Sequence, residues 1–545
     1  MRNSRQSHFK MRTLGLAMLT AGLAIAPLTA MSRAPDQSDY MNSANNDSYW
    51  VLPAKNYSGN RYVKTNSINP STVGKLKQAW TFNIKDDDAP MESVPIVWDG
   101  TMYITSAHDH VYALDAKTGE LKWEFKYNPH VVAFARNRGV AVMGRNVYLG
   151  TLDGHLIALD SETGDKVWDK QVVHDPSNSF YTMAPVPYKG KLLLGVSNGD
   201  WGGLGYVTAF NPKNGDRIWE WKTVPGPGEP GHDTWSGDSW KRGGAAVWSG
   251  LAIDPDTDTM YVSAGNPQPD FLGTVRKGDN LYSDSIVALN IAGSKPKVEW
   301  YHQFIPHDTH DWDPAMPPVL FQGTNMGKQQ KMVAVGDKGG NFWILNATNG
   351  KLLEHTAVSF QKGQNTEPSR MGNIACPNTN GGVEFNGGAY DPNSNTFFVP
   401  SSNQCGLWKS NDRAVYIAGQ FYLGGSFPKL VGPNTGWFNA IDVGTGTFKW
   451  RHRYEQPNNG SAMVTSSGLV FTGDLKGNFN AFDTNTGKML WQYNTGSPIA
   501  AAPSEYTIGG TEYLAVASGP AGFVKDPNTT DQNAGPMVTV FSTKD

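Results

Sequence analysis

Charge is scarce in this chain of 545 residues. Asp, Glu, Lys and Arg together make up 17%, against about 25% in an average globular protein. There is no long basic run and the formal net charge is −3. Duplex nucleic acid requires a concentrated cationic face, so nucleic acid is not an expected partner. Long apolar runs are missing too. A mean hydropathy of −0.44 excludes a multispan membrane protein, and the single apolar stretch near the start, 14–26, falls short of the ~20 residues a spanning helix needs. Cysteine is nearly absent, with only Cys376 and Cys405. No C-x-x-C-H appears, which excludes covalently attached haem, and no zinc-type Cys/His spacing appears. In an oxidising compartment the two thiols could pair; two buried free thiols would look the same in sequence. Helix signals are almost lacking. Disorder is excluded by the 11% aromatic content, because disordered chains lack bulky groups to bury.

The N-terminus has Arg2, Arg5, Lys10 and Arg12 ahead of the apolar stretch, then small residues through Ala30 and Ala34. This reads as a secretory signal peptide over 1–34. Its removal takes away five Lys/Arg and no Asp/Glu, moving the formal charge from −3 to −8. The expected mature protein, 35–545, is exported and acidic, in the periplasm or outside the cell.

A repeat fills the remainder. An apolar pair, Asp or Asn, a few variable residues, Thr/Asn-Gly and then Trp recur as ALDAKTGELKW at Trp123, ALDSETGDKVW at Trp168 and AFNPKNGDRIW at Trp219. The phrase returns at Trp450 and Trp491, with degenerate copies at Trp80 and Trp300, and ILNATNGKLLE puts Glu354 in the Trp place. The T-G or N-G step suits a tight hairpin, since Gly tolerates positive φ. The flanking residues alternate with period two, as in antiparallel strands. A Trp fixed in each outer strand is expected to wedge neighbouring sheets apart and bury a large ring. Eight copies, mostly forty to fifty residues apart, fit four-stranded propeller blades. Gaps of 81 and 96 residues imply long insertions. The expected fold is all-β, a single eight-bladed propeller with tryptophan-docking repeats over 35–545, its ring closed by strands near Val538 and Phe541.

The chemistry-bearing segments lie between repeats. His307-Asp308-Thr309-His310-Asp311-Trp312-Asp313 packs three carboxylates, two imidazoles and an indole into seven residues. On a strand Asp311 and Asp313 would share a side. Paired carboxylates need a compensating cation or a held proton, and a hard oxygen-liganded ion such as Ca2+ or a trivalent ion of similar radius is a natural partner. A solvated turn with Asx caps is the plainer alternative. Asp200 and Ser197 follow the apolar strand KLLLGV, Asn266 follows TMYVSA, and Trp248 sits among small residues in GGAAVWSG, where a flat ligand could approach the backbone.

In this order MESVPIVWDGTMY, RNRGVAV, LGTLDGHLIALD, YTMAP, GDWGGLGYVTAF, AVWSGLAIDP, SAGNP, HDTHDWD and LVFTGDLKGNFNAFDTNTG resemble the pyrroloquinoline quinone (PQQ)-dependent alcohol dehydrogenases of the methanol dehydrogenase type. The resemblance covers most of 45–540. It implies a periplasmic eight-bladed enzyme that oxidises an alcohol or similar small hydroxyl or aldehyde substrate. It implies a Ca2+ or lanthanide site at Asp200, Asn266 and Asp311, with Asp313 as the extra carboxylate of the lanthanide-dependent branch. Asp311 would be the base and Lys338 the partner of the developing oxyanion. Glu92, Arg138, Thr182, Ser197, Lys338, Glu384 and Asn386 would contact the cofactor, with Trp248 under the quinone plane. It also implies a Cys376–Cys405 disulfide, a separate cytochrome c or quinone as electron acceptor, and a homodimer among the assemblies. Asp200 stands where the family usually has Glu. The family's adjacent cysteine pair maps to about Val132 and Ala133, and its opposing tryptophan maps near Asn458, Asn459 and Gly460. Two rivals share the scaffold: a cofactor-free secreted hydrolase like the tetrathionate hydrolases, and a non-enzymatic propeller.

Overall fold

The computed structural model describes residues 33–85, 90–129, 135–520 and 535–544. Residues 1–32 of the expected leader and the Val132–Ala133 position lie outside them. The described strands form eight sheets, spanning 96–125, 141–171, 186–222, 251–303, 319–357, 373–454, 462–494 and 504–542, the last two each completed by a strand from before residue 84. Strands joined by short hairpins pair antiparallel, while Tyr62–Val63 joins Ala462–Thr465 in parallel. The ring closes where Lys77–Asn83 pairs with Met537–Ser542, which also pairs with Thr511–Ser518.

Each repeat encodes the same device. Asp115 Oδ1 accepts from the backbone N–H groups of Lys117 and Thr118 at 3.0 and 2.9 Å, and Gly119 takes φ +78° to turn the chain. All eight outer strands carry a bulge beside the tryptophan position. The rings do not wedge sheets apart, as the sequence suggested; they join them. A Cβ on Gly164 would lie 2.6 Å from the Trp123 ring, and Trp123 Nε1 donates to Ser161 O at 3.0 Å, so the ring lies on the next sheet's turn. Trp300 does the same on Gly350 and Ala347 O (3.0 Å), and Trp450 on Gly487 and Thr484 O (2.8 Å). Where Glu354 replaces the ring, its carboxylate faces Gly446 and accepts from Asn325 Nδ2 at 2.7 Å.

The segment 50–64 forms a strap over the starts of the inner strands. It exchanges backbone hydrogen bonds with Val97, then serves Ile253, Leu320, Tyr390 and Val464 in turn through the carbonyls of Tyr57, Ser58, Asn60 and Arg61. Tyr57 Oη donates to Pro187 O at 2.6 Å. The inner and middle strands are buried almost throughout, so burial, the dominant favourable contribution, is concentrated between sheets.

The 96-residue gap is built structure. Thr396–Ser410 and Gly425–Asp442 make one long hairpin, which the Cys376–Cys405 disulfide ties to its neighbouring strand. The 225–245 insertion holds two short 3-10 turns, His232–Thr234 and Ser239–Arg242.

Candidate active site

A cavity of about 430 Å³ opens on loops from several sheets. Glu92, Arg138, Thr182, Ser197, Asp200, Trp248, Asn266, Asp311, Lys338 and Glu384 all line it, so ten of the twelve residues expected for cofactor, metal or catalysis meet there.

The loop 307–313 is held by its own turn. Asp308 accepts from the N–H groups of His310 and Trp312 at 2.8 and 2.7 Å. The His310 ring stacks on Trp312 with centroids 4.1 Å apart, and burial lowers its pKa. Trp312 Nε1 donates to Pro377 O at 3.1 Å. The fully buried Arg276 donates to Pro269 O, Asp270 O and Asp308 O. The segment is not a strand, contrary to the alternation argument, and Asp311 sits at φ +57°. Asp311 and Asp313 nevertheless converge, because both reach one cation: Lys338 Nζ is 2.8 Å from an oxygen of each.

Electrostatics follow from crowding. Burial opposes the Lys338 charge, but Asp311, Asp313, Glu384 and Asp200 together raise its pKa well above the ordinary value. Burial pushes Asp311 well above the carboxylate range, Lys338 works against this, and Asp313 and Asp200 add to it. Asp200, whose exposed part faces the cavity, is pushed up to about 6 by burial, with Lys338 countering and Asp313 adding. Glu384 goes up to about 7 for the same reasons.

Trp248 lies on one wall. Its Nε1 donates to Asp313 Oδ2 at 2.8 Å, and the Arg138 and Lys338 cations stand 5.1 and 5.3 Å from its ring centroid. Arg138 pairs with Glu92 at 2.8 Å and donates to Thr182 Oγ1 at 2.7 Å, while the Thr182 and Ser197 hydroxyls are 2.7 Å apart. Asn266 Oδ1 faces the turn that carries Asp200, since a Cβ on Gly199 would stand 3.5 Å from it, and its Nδ2 is buried without a partner. Among the described residues no three His, Cys, Asp or Glu side chains gather as an ion cage; the hard donors are two carboxylates and this amide.

Two expected residues stand elsewhere. Asp313 is fully buried behind the wall, its oxygens directed to Trp248 and Lys338. Asn386 lines a smaller adjoining cavity and donates to Ala500 O. Asn459 reaches the cavity at the position mapped for the family's second tryptophan, and Ser402 Oγ donates to its Oδ1 at 2.8 Å. Sequence reasoning missed Phe385, whose ring lies 4.2 Å from the Arg138 guanidinium, and an aromatic wall of Phe180, Trp201 and Phe427. Phe427 comes from the long hairpin, inside the 96-residue gap between Glu354 and Trp450 that implied an insertion. The residues 225–245, inside the 81-residue gap, contribute nothing to the wall.

Residues 50–357 and 430–514 match the family described as PQQ: Glucose/ethanol/alcohol dehydrogenase, beta-propeller domain. The chain is 32% identical to the quinoprotein alcohol dehydrogenase PedH of Pseudomonas putida, over 99% of this chain and 97% of that one. It is also 32% identical to methanol dehydrogenase [cytochrome c] subunit 1 of Methylobacterium organophilum, over 95% and 90%. Among solved structures, the quinohemoprotein alcohol dehydrogenase of Comamonas testosteroni superposes with a TM-score of 0.83 at 27% identity, covering 93% of this chain and 82% of that one. A europium-containing methanol dehydrogenase does so with 0.83 at 28%, covering 93% and 100%. These likenesses favour the oxidoreductase over the hydrolase and the bare scaffold: the chain belongs to the PQQ-dependent alcohol dehydrogenase family of β-propeller enzymes.

Proposed function

We propose that the chain oxidises a small alcohol in the 430 Å³ cavity, with Asp311 as base and a Ca2+ or lanthanide ion held by Asp200, Asn266 and Asp311. The observation that carries this reading is the convergence of Asp311 and Asp313 on Lys338 at 2.8 Å, beside a flat indole and an amide with an unpartnered nitrogen. The donor set fits a hard cation. Two carboxylates raised by burial and mutual repulsion, with an amide oxygen beside them, are stabilised by an oxygen-liganded ion. PQQ, when bound, supplies the quinone carbonyl that takes up the electrons of the alcohol.

The chain supplies position and charge. Trp248 offers its face to a planar ring, and the Asp313 hydrogen bond fixes the indole's rotation. Arg138, Thr182 and Ser197 present donors suited to carboxylates. Asp311 takes the alcohol proton on a carboxylate oxygen, and Lys338 beside it stabilises the charged form. Lys338 also meets negative charge developing nearby on the reacting oxygen. Glu384 stands on the same wall, its carboxyl pushed up to about 7 by burial.

The reading places the enzyme in the periplasm after loss of 1–34. Electrons leave to a separate cytochrome c or quinone, because the sequence has no haem-attachment motif. Reconstitution of the purified mature protein with PQQ plus Ca2+ or La3+, followed by dye-coupled assay with short alcohols, tests it. A spectral change and dye reduction are expected; neither appearing with any metal would overturn the reading.

A further inference from the structure

Between the strap and the floor of the main cavity lies a second cavity of about 70 Å³. The strap contributes Asn56 and Arg61 to its wall, and the ring contributes Glu92, Arg138, Phe385 and Asn386. Arg61 is 4% exposed. A guanidinium has five N–H donors, yet the hydrogen bond this one makes is from Nη1 to Gly388 O at 3.1 Å, and its Nε is buried without a partner. Among the described residues no carboxylate offsets it: burial alone acts on the group, lowering its pKa to about 10, so it is cationic at neutral pH.

The rest of the wall does not supply the missing charge. Arg138 is a second guanidinium, and Glu92 is already shared between Arg138 at 2.8 Å and Arg136 at 3.6 Å. Two cations and one committed carboxylate therefore face a small cavity. A buried charge without a counterion costs several kcal/mol, and water could satisfy the N–H groups without neutralising them.

We infer that this cavity binds a small monovalent anion, a halide or a one- or two-carbon carboxylate, against the Arg61 guanidinium. Size supports the class: a single water needs about 10–15 Å³ by the same measure, so a partly hydrated halide or a formate fits and a sugar or nucleotide does not. Charge supports it as well, because a phosphate or sulfate would bring a second negative charge with no second unpaired cation to meet it. The Asn56 and Asn386 side-chain oxygens, both buried without partners, suit a water carried in with the anion. The site lies across Arg138 and Phe385 from the main cavity, and these two residues line both.

The test uses the reconstituted holoenzyme with chloride, bromide and formate as probes. In bromide-soaked crystals an anomalous peak is expected within about 3.5 Å of an Arg61 nitrogen. In solution, excess 35Cl line width is expected, falling to the buffer level in Arg61→Gln and persisting in Arg61→Lys. Formate that abolishes the excess width identifies a site open to carboxylates; formate without effect identifies a halide site. If Arg61→Gln does not fold, the crystal peak in the unmodified enzyme decides. No bromide peak at Arg61, or a line width unchanged in Arg61→Gln, would overturn the inference.

Discussion

The sheet-to-sheet docking can be tested with two glycines. Gly487 and Gly190 have nearly the same backbone, φ +69° and +75°. Placing an L-residue there costs about 1–2 kcal/mol at either position. They differ in what a methyl group would meet. At Gly190 nothing lies within 4 Å, whereas at Gly487 the added carbon would stand 2.6 Å from Trp450 Cδ2 and 2.8 Å from Cε3. Relieving that overlap means displacing the indole, at about 1–3 kcal/mol for overpacking. It also stretches the Trp450 Nε1 hydrogen bond to Thr484 O, worth about 1 kcal/mol. Gly487→Ala should therefore destabilise by about 3–6 kcal/mol and Gly190→Ala by about 1–2. Urea unfolding followed by fluorescence and circular dichroism measures the gap, read as a shift in midpoint at unchanged slope. Dye-linked turnover of both folded variants should match the parent, because neither glycine lines the cavity. Equal midpoints would refute the docking account and leave the backbone conformation as the whole effect.

Asp313→Asn keeps an acceptor for Trp248 while removing a charge from Lys338, so La3+-dependent turnover should fall about tenfold or more relative to Ca2+-dependent turnover; equal losses would remove the lanthanide role of Asp313. Cys376→Ser opens a loop whose ends are 29 residues apart, which chain entropy values at about 3.5 kcal/mol. A lower unfolding midpoint and a raised KM are expected, since the same hairpin carries Phe427; a stability loss under about 1 kcal/mol would contradict the tie. Glu512 is half-buried, and burial alone would raise its carboxyl. Hydrogen bonds from Ser67 Oγ and the N–H groups of Asn66, Ser67 and Ile68 outweigh this and hold it low. Its stabilisation is thus present above the unfolded carboxyl value of about 4.3 and fades as pH falls through the lower folded value. The midpoint difference between parent and Glu512→Gln should be largest near pH 7 and shrink in acid; a pH-independent difference would contradict it.

The fold was legible because each blade writes its turn locally. The Asp115 side chain, the Gly119 turn and Trp123 are within nine residues, and that spacing survives in copy after copy. Which way the rings face was not legible, because Trp123 meets Gly164, a partner fixed only once two sheets stand side by side. The active site was readable to the extent that its residues sit at strand ends next to recognisable segments, as Asp200, Asn266 and Asp311 do. Asp311 and Asp313 converge through a left-handed residue and Lys338, twenty-five or more positions away, which strand alternation cannot supply. Phe385 and Phe427 escaped notice for a related reason. Phe385 sits between Glu384 and Asn386 and Phe427 between Ser426 and Pro428, outside any repeat, and the long hairpin brings Phe427 to the cavity wall.

The strand Met537–Ser542 has Lys77–Asn83 on one side and Thr511–Ser518 on the other. Met537–Ser542 is therefore an interior strand, and Lys77–Asn83 waits for a partner that is made more than 450 residues later. A chain lacking Met537–Ser542 would have two unpaired edges, Lys77–Asn83 and Thr511–Ser518, facing each other across an open seam. Exposed strand edges are templates for pairing with other chains. In a protein whose Trp80 side of the seam is already docked on Gly119, a second copy could supply the missing strand, so C-terminal trimming should show itself as self-association before it shows itself as lost secondary structure.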